Sequence, residues 1–437
     1  MIGFLPLVVG FLLMLGLMFL GIPVAVAMFM AGFLGSVIYA GLPTLLDFGN
    51  LMWGTLDNFI LVAIPLYILL GEILLRSGVT ERMYTSLSYW LSPLPGGLLH
   101  TNIGASAMFA AVSGSSVATA ATIGTVALPA FRARQYNERM VLGSIAGGST
   151  LGILIPPSIN LIIYGALTET SIGRLFLAGV VPGILMAGLF MLVIIIIALI
   201  KPSITGRKVE LPPLRVRFAA LVHLLPAIVI FVLVMGGIYF GWATPTESAA
   251  LGVLFTLIIA YFYRQLSVNM LHQAFVSTIR SSAMMILIFV GASYLTFILG
   301  LLGVAQSMTD LFTRLEISPA QTIWAIVVFY VILGCFLETL SMLFATIPVL
   351  FPIILAVGID PVWFGVFLVL MMEMALITPP VGINLYVVQG VRGHGPLLDV
   401  VIGILPFLAM ILVTVALLIA FPEISTWLPD KMFTSLS

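Results

Sequence analysis

The chain has 437 residues, of which 62% are hydrophobic and only 7% are charged. Soluble domains carry charge on about a quarter of their residues, so this composition excludes a soluble globular enzyme, a disordered chain and a collagen-like chain. The 16 basic residues balance the 16 acidic ones, so no net field attracts nucleic acid, and the single cysteine excludes an internal disulfide framework. The class that remains is an all-α polytopic membrane protein.

Apolar segments long enough to cross a bilayer recur along the whole chain. A helix needs about 20 residues to cross the hydrocarbon layer, and Gly21 and Pro23 separate the first two segments. We interpret the first segment as a retained span rather than a cleaved signal peptide, because no basic segment precedes it. The predicted crossings are residues 4–20, 24–41, 52–76, 140–165, 171–200, 217–241, 246–264, 275–300, 361–390 and 397–421.

Two apolar stretches, residues 97–131 and 319–356, do not fit a single crossing. Each is too long for one helix and is interrupted by small or polar residues, at 113–116 and at 334–339. Each leg is shorter than a usual span, so we predict two re-entrant helical hairpins with irregular tips. Such tips survive in a membrane only when they are buried in protein or line a wet cavity.

The basic residues are distributed unevenly between the two sets of loops that ten crossings and two hairpins produce. One set holds only Arg174, Arg314 and Lys431, and the other holds the remaining 13 of the 16 Lys and Arg residues. Because cytoplasmic loops are enriched in Lys and Arg, we predict that the richer set is cytoplasmic and that both termini lie outside. Short amphipathic stretches, 80–91 and 305–315, precede the hairpins and fit either interfacial helices or polar connectors.

The polar linker 201–216 divides the chain into two halves, 1–200 and 217–421, followed by a tail, 422–437. Each half has five crossings and one hairpin, so the second half is upside down relative to the first. Inverted repeats with broken helices are the build of secondary transporters. The matching pairs, 223 or 224 residues apart, are Pro129 and Pro352, Pro156 and Pro379, Pro157 and Pro380, and Asn160 and Asn384.

The paired prolines fall in the middle of predicted crossings. They remove two amide donors from a helix and disfavour the helical conformation before them, so carbonyls about one turn earlier lose their partners. In hydrocarbon an unpaired carbonyl is costly, and a dehydrated Na⁺ could bind it. A plain proline kink is the alternative at either position, but two such breaks at matching repeat positions, each followed by an asparagine, favour ion binding.

The hairpin tips add further oxygen ligands. Ser113, Ser115 and Ser116 surround Gly114 at the first tip, and the second tip contains Gly334, Glu338, Thr339 and Ser341. Small-residue helix packing is the alternative explanation of such clusters, but the polar residues of the first tip are consecutive.

Glu338 and Glu373 are the acids placed deepest in the predicted membrane segments. Either could neutralise a cation, hold a proton or bond to a neighbouring helix. No Lys or Arg lies near the middle of a predicted span, so a carboxylate substrate there would use helix N-termini, hydroxyls, amides and bound cations. Binding of the anion would then depend on the cation, which is a physical basis for co-transport.

Three segments resemble the large membrane subunit of tripartite ATP-independent periplasmic (TRAP) transporters, and the resemblance extends over essentially the whole chain. They are SGSSVATAATIGTVALPAF (113–131), LGSIAGGSTLGILIPPSINLIIYGALTETSIGRLFLAGVVPG (142–183) and ALITPPVGINLYVVQG (375–390). The resemblance implies a Na⁺-driven importer of organic acids in the inner membrane of a bacterium or archaeon. It also implies two partners, a small four-helix membrane subunit and an extracytoplasmic substrate-binding protein. We expect the small subunit to be a separate chain, because the first span already begins at residue 4.

The same resemblance implies an elevator-type transport domain made from the two hairpins and the two broken helices, 140–165 and 361–390. By elimination, residues 4–76 and 217–300 then supply the scaffold. By similarity, the first sodium site comprises Ser113, Ser116, Gly152, Ile155 and Pro157. The second comprises Gly334, Thr339, Ala375, Thr378 and Pro380, where Ala375 replaces the glycine of the first break. Substrate would lie near Ser115, Ser158, Asn160, Gly382 and Asn384.

Two other functions fit parts of the pattern. A self-sufficient Na⁺/dicarboxylate carrier with a similar inverted-hairpin build would need no partner. An intramembrane enzyme would need a nucleophile with a nearby base, and Ser115 has no evident base on a neighbouring segment. The identity of the acid stays open: C4-dicarboxylates, sialic acid, sugar acids and keto acids all fit.

Overall fold

Every regular element in the described part of the chain is helical. A computed structural model describes residues 4–434, except for 42–43, 45–46, 208–210, 305, 308–309 and 311–317. The α-helices of the first half are α1 Phe4–Phe19, α2 Val24–Gly35, α3 Phe48–Leu56, α4 Ala63–Arg76, α5 Val79–Leu91, α6 Leu98–Ser113, α7 Ser116–Ala133, α8 Glu138–Leu154, α9 Ile159–Thr168 and α10 Ile172–Ile200. Those of the second half are α11 Leu214–Ala220, α12 Leu225–Tyr239, α13 Pro245–Phe262, α14 Val268–Leu301, α15 Pro319–Gly334, α16 Thr339–Ala356, α17 Pro361–Ile377, α18 Ile383–Arg392, α19 Leu397–Ala420 and α20 Glu423–Thr434.

The helices of the hairpins and breaks have the same lengths in the two halves. Helices α6 and α15 both have 16 residues, and α7 and α16 both have 18. Helices α8 and α17 both have 17 residues, and α9 and α18 both have 10. The N-cap side chains correspond as well, since Asn137 accepts from the amide of Met140 and Asp360 from that of Trp363. Corresponding positions in the two halves therefore start and stop helices in the same way.

One group of helices joins the beginnings of the two halves. Helix α2 packs against α14, and α4 packs against α13 and α14. The approach of α2 to α14 is close because Gly291 has no side chain: a Cβ there would lie 2.7 Å from the Ala25 carbonyl oxygen. These helices lie within residues 4–76 and 217–300, the ranges expected to form the scaffold.

A second group interlocks the hairpins with the broken helices. Helix α7 of the first hairpin packs against α18, and α16 of the second hairpin packs against α9. The two longer parts of the broken helices, α8 and α17, also contact each other. Each half therefore supplies the hairpin against which the other half's broken helix packs, so this group is one body in space although two sequence segments form it.

Eight helical segments of the described residues are long and apolar enough to cross a membrane, by length and composition alone: Phe59–Arg76, Glu138–Thr168, Ile172–Ile200, Leu214–Tyr239, Pro245–Phe262, Val268–Leu301, Thr339–Ala356 and Leu397–Ala420. This number differs from the ten crossings predicted. The predicted crossings 4–20, 24–41 and 361–390 form shorter helices, because Pro23 and the second proline pair interrupt them. Conversely, the second leg of the second hairpin is itself of spanning length.

Several boundaries also differ from those predicted. The crossing predicted at 52–76 is interrupted at Asp57 and Asn58, where Asn58 caps a short 3-10 turn by accepting from the amide of Ile60. Most of the tail, for which no helix was predicted, forms α20, which packs against α10 and α17. The amphipathic stretch 80–91 is α5, whereas most of the stretch 305–315 lies outside the described residues.

Candidate ion and substrate site

The first hairpin turns at Gly114, whose φ of 60° is in the left-handed region that favours glycine. Ser115 then begins α7 as its N-cap, with its hydroxyl accepting from the amide of Ala118 at 3.4 Å. Thr119 Oγ1 donates to the Ser115 carbonyl at 2.7 Å and lies 3.3 Å from Ser113 Oγ. The tip is therefore an ordered turn that gathers hydroxyl and carbonyl oxygens.

The first helix break frees two carbonyl groups. Pro156 and Pro157, joined by a cis peptide bond, have no amide hydrogen for the carbonyls of Gly152 and Ile153. The Ser158 hydroxyl donates to the Ile153 carbonyl and replaces one of these partners. No side chain in the described part of the chain donates to the Gly152 carbonyl, which is left to accept from another group.

The first tip and the first break are in direct contact. A Cβ on Gly152 would lie 2.8 Å from the carbonyl group of Ser115 and from the Cα of Ser116, and a Cβ on Gly114 would lie 2.9 Å from the Pro157 carbonyl oxygen. The Ser116 hydroxyl also donates to the Thr150 carbonyl at 3.1 Å. Glycine at 114 and 152 is what lets the two backbones approach so closely.

The second tip contacts the second break at the corresponding place. A Cβ on Gly334 would lie 2.6 Å from the Cβ of Ala375, which occupies the position of Gly152 in the repeat. The Thr378 hydroxyl donates to the Met374 carbonyl at 2.6 Å, and the Thr378 carbonyl accepts from the amide of Gly382 at 3.0 Å. Thr339 is buried at the start of α16, and the described hydrogen bonds do not connect it to Thr378.

The hydroxyl hydrogens at these contacts are already used in hydrogen bonds. Ser116 donates across from the tip to the Thr150 carbonyl of α8, and Thr378 donates to the Met374 carbonyl one turn earlier in its own helix. Ser113 acts as donor to Thr119, because Thr119 uses its own hydrogen on the Ser115 carbonyl. A hydroxyl that has donated its hydrogen offers only lone pairs to a further ligand, so a cation fits this arrangement better than a hydrogen-bond acceptor does.

The two asparagines that follow the breaks make equivalent contacts across the halves. Asn160 Nδ2 donates to Met372 Sδ at 3.5 Å, and Asn384 Nδ2 donates to Ser149 Oγ at 3.0 Å. Residues 149 and 372 are 223 positions apart, the same offset that relates the proline pairs. The Oδ1 atom of Asn384 is buried and has no partner among the described residues, so it is available as an acceptor.

The two acids differ in their surroundings. Glu338 is half-buried, accepts from Ser341 Oγ at 3.1 Å, and lines a cavity of about 320 Å³ between the second tip, the second break and the α1–α2 turn. Glu373 is completely buried, and neither of its carboxyl oxygens has a hydrogen-bond partner in the described part of the chain. Only Glu338 therefore faces a space that an ion or solute could enter.

The structure brings some of the predicted site residues to two tip–break contacts. Gly152 meets Ser115 and Ser116, and Gly334 meets Ala375. Ser158, Asn160 and Asn384 are buried and hydrogen-bonded, and they do not line an open cavity. The backbone amide of Gly382 is also hydrogen-bonded. The residues that sequence reasoning missed are Thr119, Ser149, Thr150 and Met372.

Two of these omissions had a signal in the sequence. Ser149 and Met372 occupy equivalent repeat positions, each 11 or 12 residues before the asparagine of its own half. The contacts themselves pair each of them with the asparagine of the other half, which no sequence spacing indicates.

Residues 11–424 match the protein family described as tripartite ATP-independent periplasmic transporter, DctM component. The chain is similar to the C4-dicarboxylate TRAP transporter large permease protein DctM of Pseudomonas aeruginosa, with 34% identity over 87% of this chain and 88% of that one. It is also similar to the sialic acid TRAP transporter large permease protein SiaM of Vibrio cholerae, with 32% identity over 95% of this chain and 96% of that one.

A solved structure of low sequence identity has a related fold. The Alcanivorax borkumensis YdaH transporter superposes with a TM-score of 0.60 and 15% identity, over 90% of this chain and 91% of that chain. At this identity the comparison concerns the fold alone, and it agrees with the all-helical membrane architecture.

Proposed function

The chain belongs to the DctM family of TRAP transporter permease components, and from this premise we propose that it imports an organic acid by Na⁺ symport. The family consists of transporter components and not of enzymes, and the chain is a multi-pass membrane protein. The two relatives described above are named for C4-dicarboxylates and for sialic acid. These substrates differ in size but share a carboxylate, so a carboxylate is the proposed common feature of the substrate.

The observation that carries the proposal is the paired contact between hairpin tip and helix break. At the first contact, the Gly152 carbonyl has lost its helical partner to Pro156, while the Ser113 and Ser116 hydroxyls present lone pairs. Oxygen atoms of this kind, without a neighbouring basic side chain, suit a small hard cation. Ile155 and Pro157 contribute further carbonyls to this proposed site.

The second contact supplies the second proposed site. Gly334 and Thr339 lie at the tip, and Ala375, Thr378 and Pro380 lie in or directly before the break. A bound cation would hold tip and break together in each half. The positive charges would then offset the charge of a carboxylate lying near Ser115, Ser158, Asn160, Gly382 and Asn384, because none of the described residues there is basic.

The proposed motion is an elevator movement in an inverted repeat. The interlocked body of hairpins and broken helices contains residues from both halves, so it can slide as one unit against the α2, α4, α13 and α14 group. Re-entrant insertion of the hairpins would let their tips reach the middle of the bilayer. These features explain how one structure could open alternately to each side.

The proposed partners are a small four-helix membrane subunit and an extracytoplasmic substrate-binding protein. The test is uptake into proteoliposomes, with this chain reconstituted alone, with the small subunit, and with both partners. We expect concentrative uptake only with both partners and an inward Na⁺ gradient, and a more than linear dependence on Na⁺ because two sites bind it. The proton gradient is collapsed throughout, so that Na⁺ is the only driving ion.

Two outcomes would contradict the proposal in different ways. Full uptake without Na⁺ would show that transport does not depend on the proposed cation sites. Concentrative uptake by this chain alone would instead support a self-sufficient Na⁺/carboxylate carrier. Identifying the ligand of the cognate binding protein would name the acid.

We also propose a bacterial inner-membrane location with both termini on the outer side. Single cysteines replace Ser203 in the linker and Glu423 at the start of α20, both exposed, in a Cys335→Ala background. A membrane-impermeant maleimide added to intact cells should label position 423 and leave position 203 unlabelled. The reverse pattern would invert the predicted topology.

A further inference from the structure

Four arginines lie on α5, α11 and α14 and in the turn that follows α13. We define the arginine patch as Arg82, Arg217, Arg264 and Arg280. Arg82 lies over the ring of Tyr263, next to Arg264, and Arg217 lies over the ring of Trp90, two turns along α5 from Arg82. Arg280 is one helical turn from Ser277, whose hydroxyl accepts from the Arg76 side chain at 3.3 Å.

Aromatic rings, and not carboxylates, hold the two central guanidinium groups. The distance from the guanidinium carbon to the ring centroid is 4.3 Å for Arg82 and Tyr263 and 4.7 Å for Arg217 and Trp90. Trp90 Nε1 also donates to the Arg217 carbonyl at 3.3 Å. No ion pair of the described residues includes a member of the patch. Stacking covers the face of a guanidinium and leaves its edge donors for an anion.

The charge of the patch is poorly compensated by the protein itself. Between residues 211 and 282 the only acid is Glu247, which is in the first turn of α13, at the opposite end of that helix from Tyr263. On the α4–α5 side, Glu72 is paired with Arg76, which leaves Glu81 as the one nearby acid. An anion from outside the chain would therefore meet a net positive surface.

Large apolar side chains surround the patch and are open to the exterior. Phe218 is 60% exposed, Phe262 74% and Ile279 65%. In a chain that crosses a bilayer, such side chains face lipid tails, so the arginines beside them lie at the depth of the lipid headgroups. The anions present at that depth are phospholipid phosphates.

We infer that the arginine patch binds the headgroup of an anionic phospholipid, with Arg82 and Arg217 as the two principal phosphate donors. The site lies where α5, which packs against α6 of the first hairpin, meets α11 and the end of α13. A headgroup held there would anchor this junction at the membrane surface. The inference depends on membrane insertion and does not require the proposed cation sites.

Native mass spectrometry of the purified full chain tests the site, with dioleoyl phosphatidylglycerol or dioleoyl phosphatidylcholine added to the detergent. We expect the wild-type protein to retain phosphatidylglycerol in preference to phosphatidylcholine. Each arginine near an anionic surface contributes about a fivefold change in affinity, so Arg82→Gln with Arg217→Gln should weaken phosphatidylglycerol binding about 25-fold. Phosphatidylcholine binding should not change.

The matched control removes two other cations, by Lys201→Gln with Arg207→Gln, both exposed in the linker. Retention of phosphatidylglycerol should be unchanged in this control. If the double patch variant misfolds, each single variant should still show about a fivefold loss. Equal losses in patch and control variants, no preference for phosphatidylglycerol, or complete displacement by millimolar inorganic phosphate would each overturn the inference.

Discussion

The hydroxyls of Ser116 and Thr378 belong to the proposed first and second sodium sites, but the two hydroxyls make different hydrogen bonds. Ser116→Ala removes an oxygen that spans from tip to break, whereas Thr378→Val removes a hydroxyl bonded within its own helix. A bond to a charged group contributes about 1.5–3 kcal/mol, so we expect Ser116→Ala to weaken apparent Na⁺ affinity about tenfold or more. Thr378→Val should weaken it less, because the Thr378 carbonyl remains.

The measurement is uptake against Na⁺ concentration at saturating substrate. Thr125→Val in α7 is the matched control, because its hydroxyl also donates to a carbonyl one turn back but faces the exterior. Unchanged Na⁺ dependence in both site variants would exclude these oxygens as ligands.

Gly152 tests the contact itself rather than an oxygen. In Gly152→Ala the new Cβ would lie 2.8 Å from the backbone of Ser115 and Ser116, and backbone cannot give way as a side chain does. We expect the tip to be displaced from the break. The variant should then lose any increase in melting temperature that Na⁺ gives the wild-type protein.

Gly188→Ala in α10 is the comparison for that experiment, since nothing lies within 4 Å of a Cβ there. Alanine favours a helix over glycine by about 1 kcal/mol, so this control should be as stable as the wild type and keep its response to Na⁺. A Gly152→Ala protein with a normal Na⁺ response would show that the tip–break contact does not form the site.

At the scale of elements, an ion-pair network joins helices of the two halves at one end of the interlocked body. Arg392, at the end of α18, donates to both carboxylate oxygens of Glu138 at 3.0 and 2.7 Å and to Asp399 at 2.9 Å. The hydrogen bond with Glu138 raises the pKa of Arg392, so the guanidinium stays charged. Arg392 sits at a helix C-terminus and both acids lie in the first turn of a helix, which the helix dipoles favour.

Because the Arg392 side chain is only 3% exposed while Glu138 is 39% exposed, we expect Arg392→Gln to destabilise the protein by about 2 kcal/mol, as the loss of hydrogen bonds to charged groups does. Glu138→Gln should cost less, because Asp399 remains beside Arg392. Thermal unfolding in detergent measures both. The exposed pair Arg174–Asp430 is the control, and Arg174→Gln should change stability by less than about 1 kcal/mol. Equal effects of Arg392→Gln and Arg174→Gln would contradict a buried network.

The helix breaks could be predicted from sequence because proline acts on its own helix. Pro156 and Pro379 end α8 and α17 near the residues expected, and the equal offset of the pairs identified their equivalence. The break at Asp57 was missed because the residues on both sides of it are apolar. A hydropathy profile does not detect a single helix-capping residue. Contacts such as Asn384 with Ser149 could not be predicted, because they depend on how two distant segments pack.

At the scale of the whole molecule, the sequence division into halves does not coincide with the division in space. Helices α7 and α18 come from different halves yet belong to one body, and so do α9 and α16. A repeat in sequence indicates that corresponding segments have similar structures. It does not indicate whether each copy packs on itself or on the other copy, which is why the interlocking emerged only from the structure.

The proposed sliding of the interlocked body is tested best where it touches the scaffold through exposed side chains. Phe19 at the end of α1 and Phe336 at the second tip have ring centroids 5.4 Å apart, and both are exposed, so cysteines there should not disturb the core. In a Cys335→Ala background, Phe19→Cys with Phe336→Cys joined through two disulfides by a short bis-methanethiosulfonate cross-linker should stop uptake. Reduction of the link should restore it.

The control pair, Phe240→Cys with Trp242→Cys, lies within one scaffold loop, where the rings stack with centroids 5.0 Å apart. Cross-linking this pair should leave uptake unchanged, because it joins residues that do not move relative to one another. If the Phe19–Phe336 link forms in full and uptake continues at the wild-type rate, the second tip does not move against α1. Transport would then have to proceed by local opening of the hairpins within a fixed body.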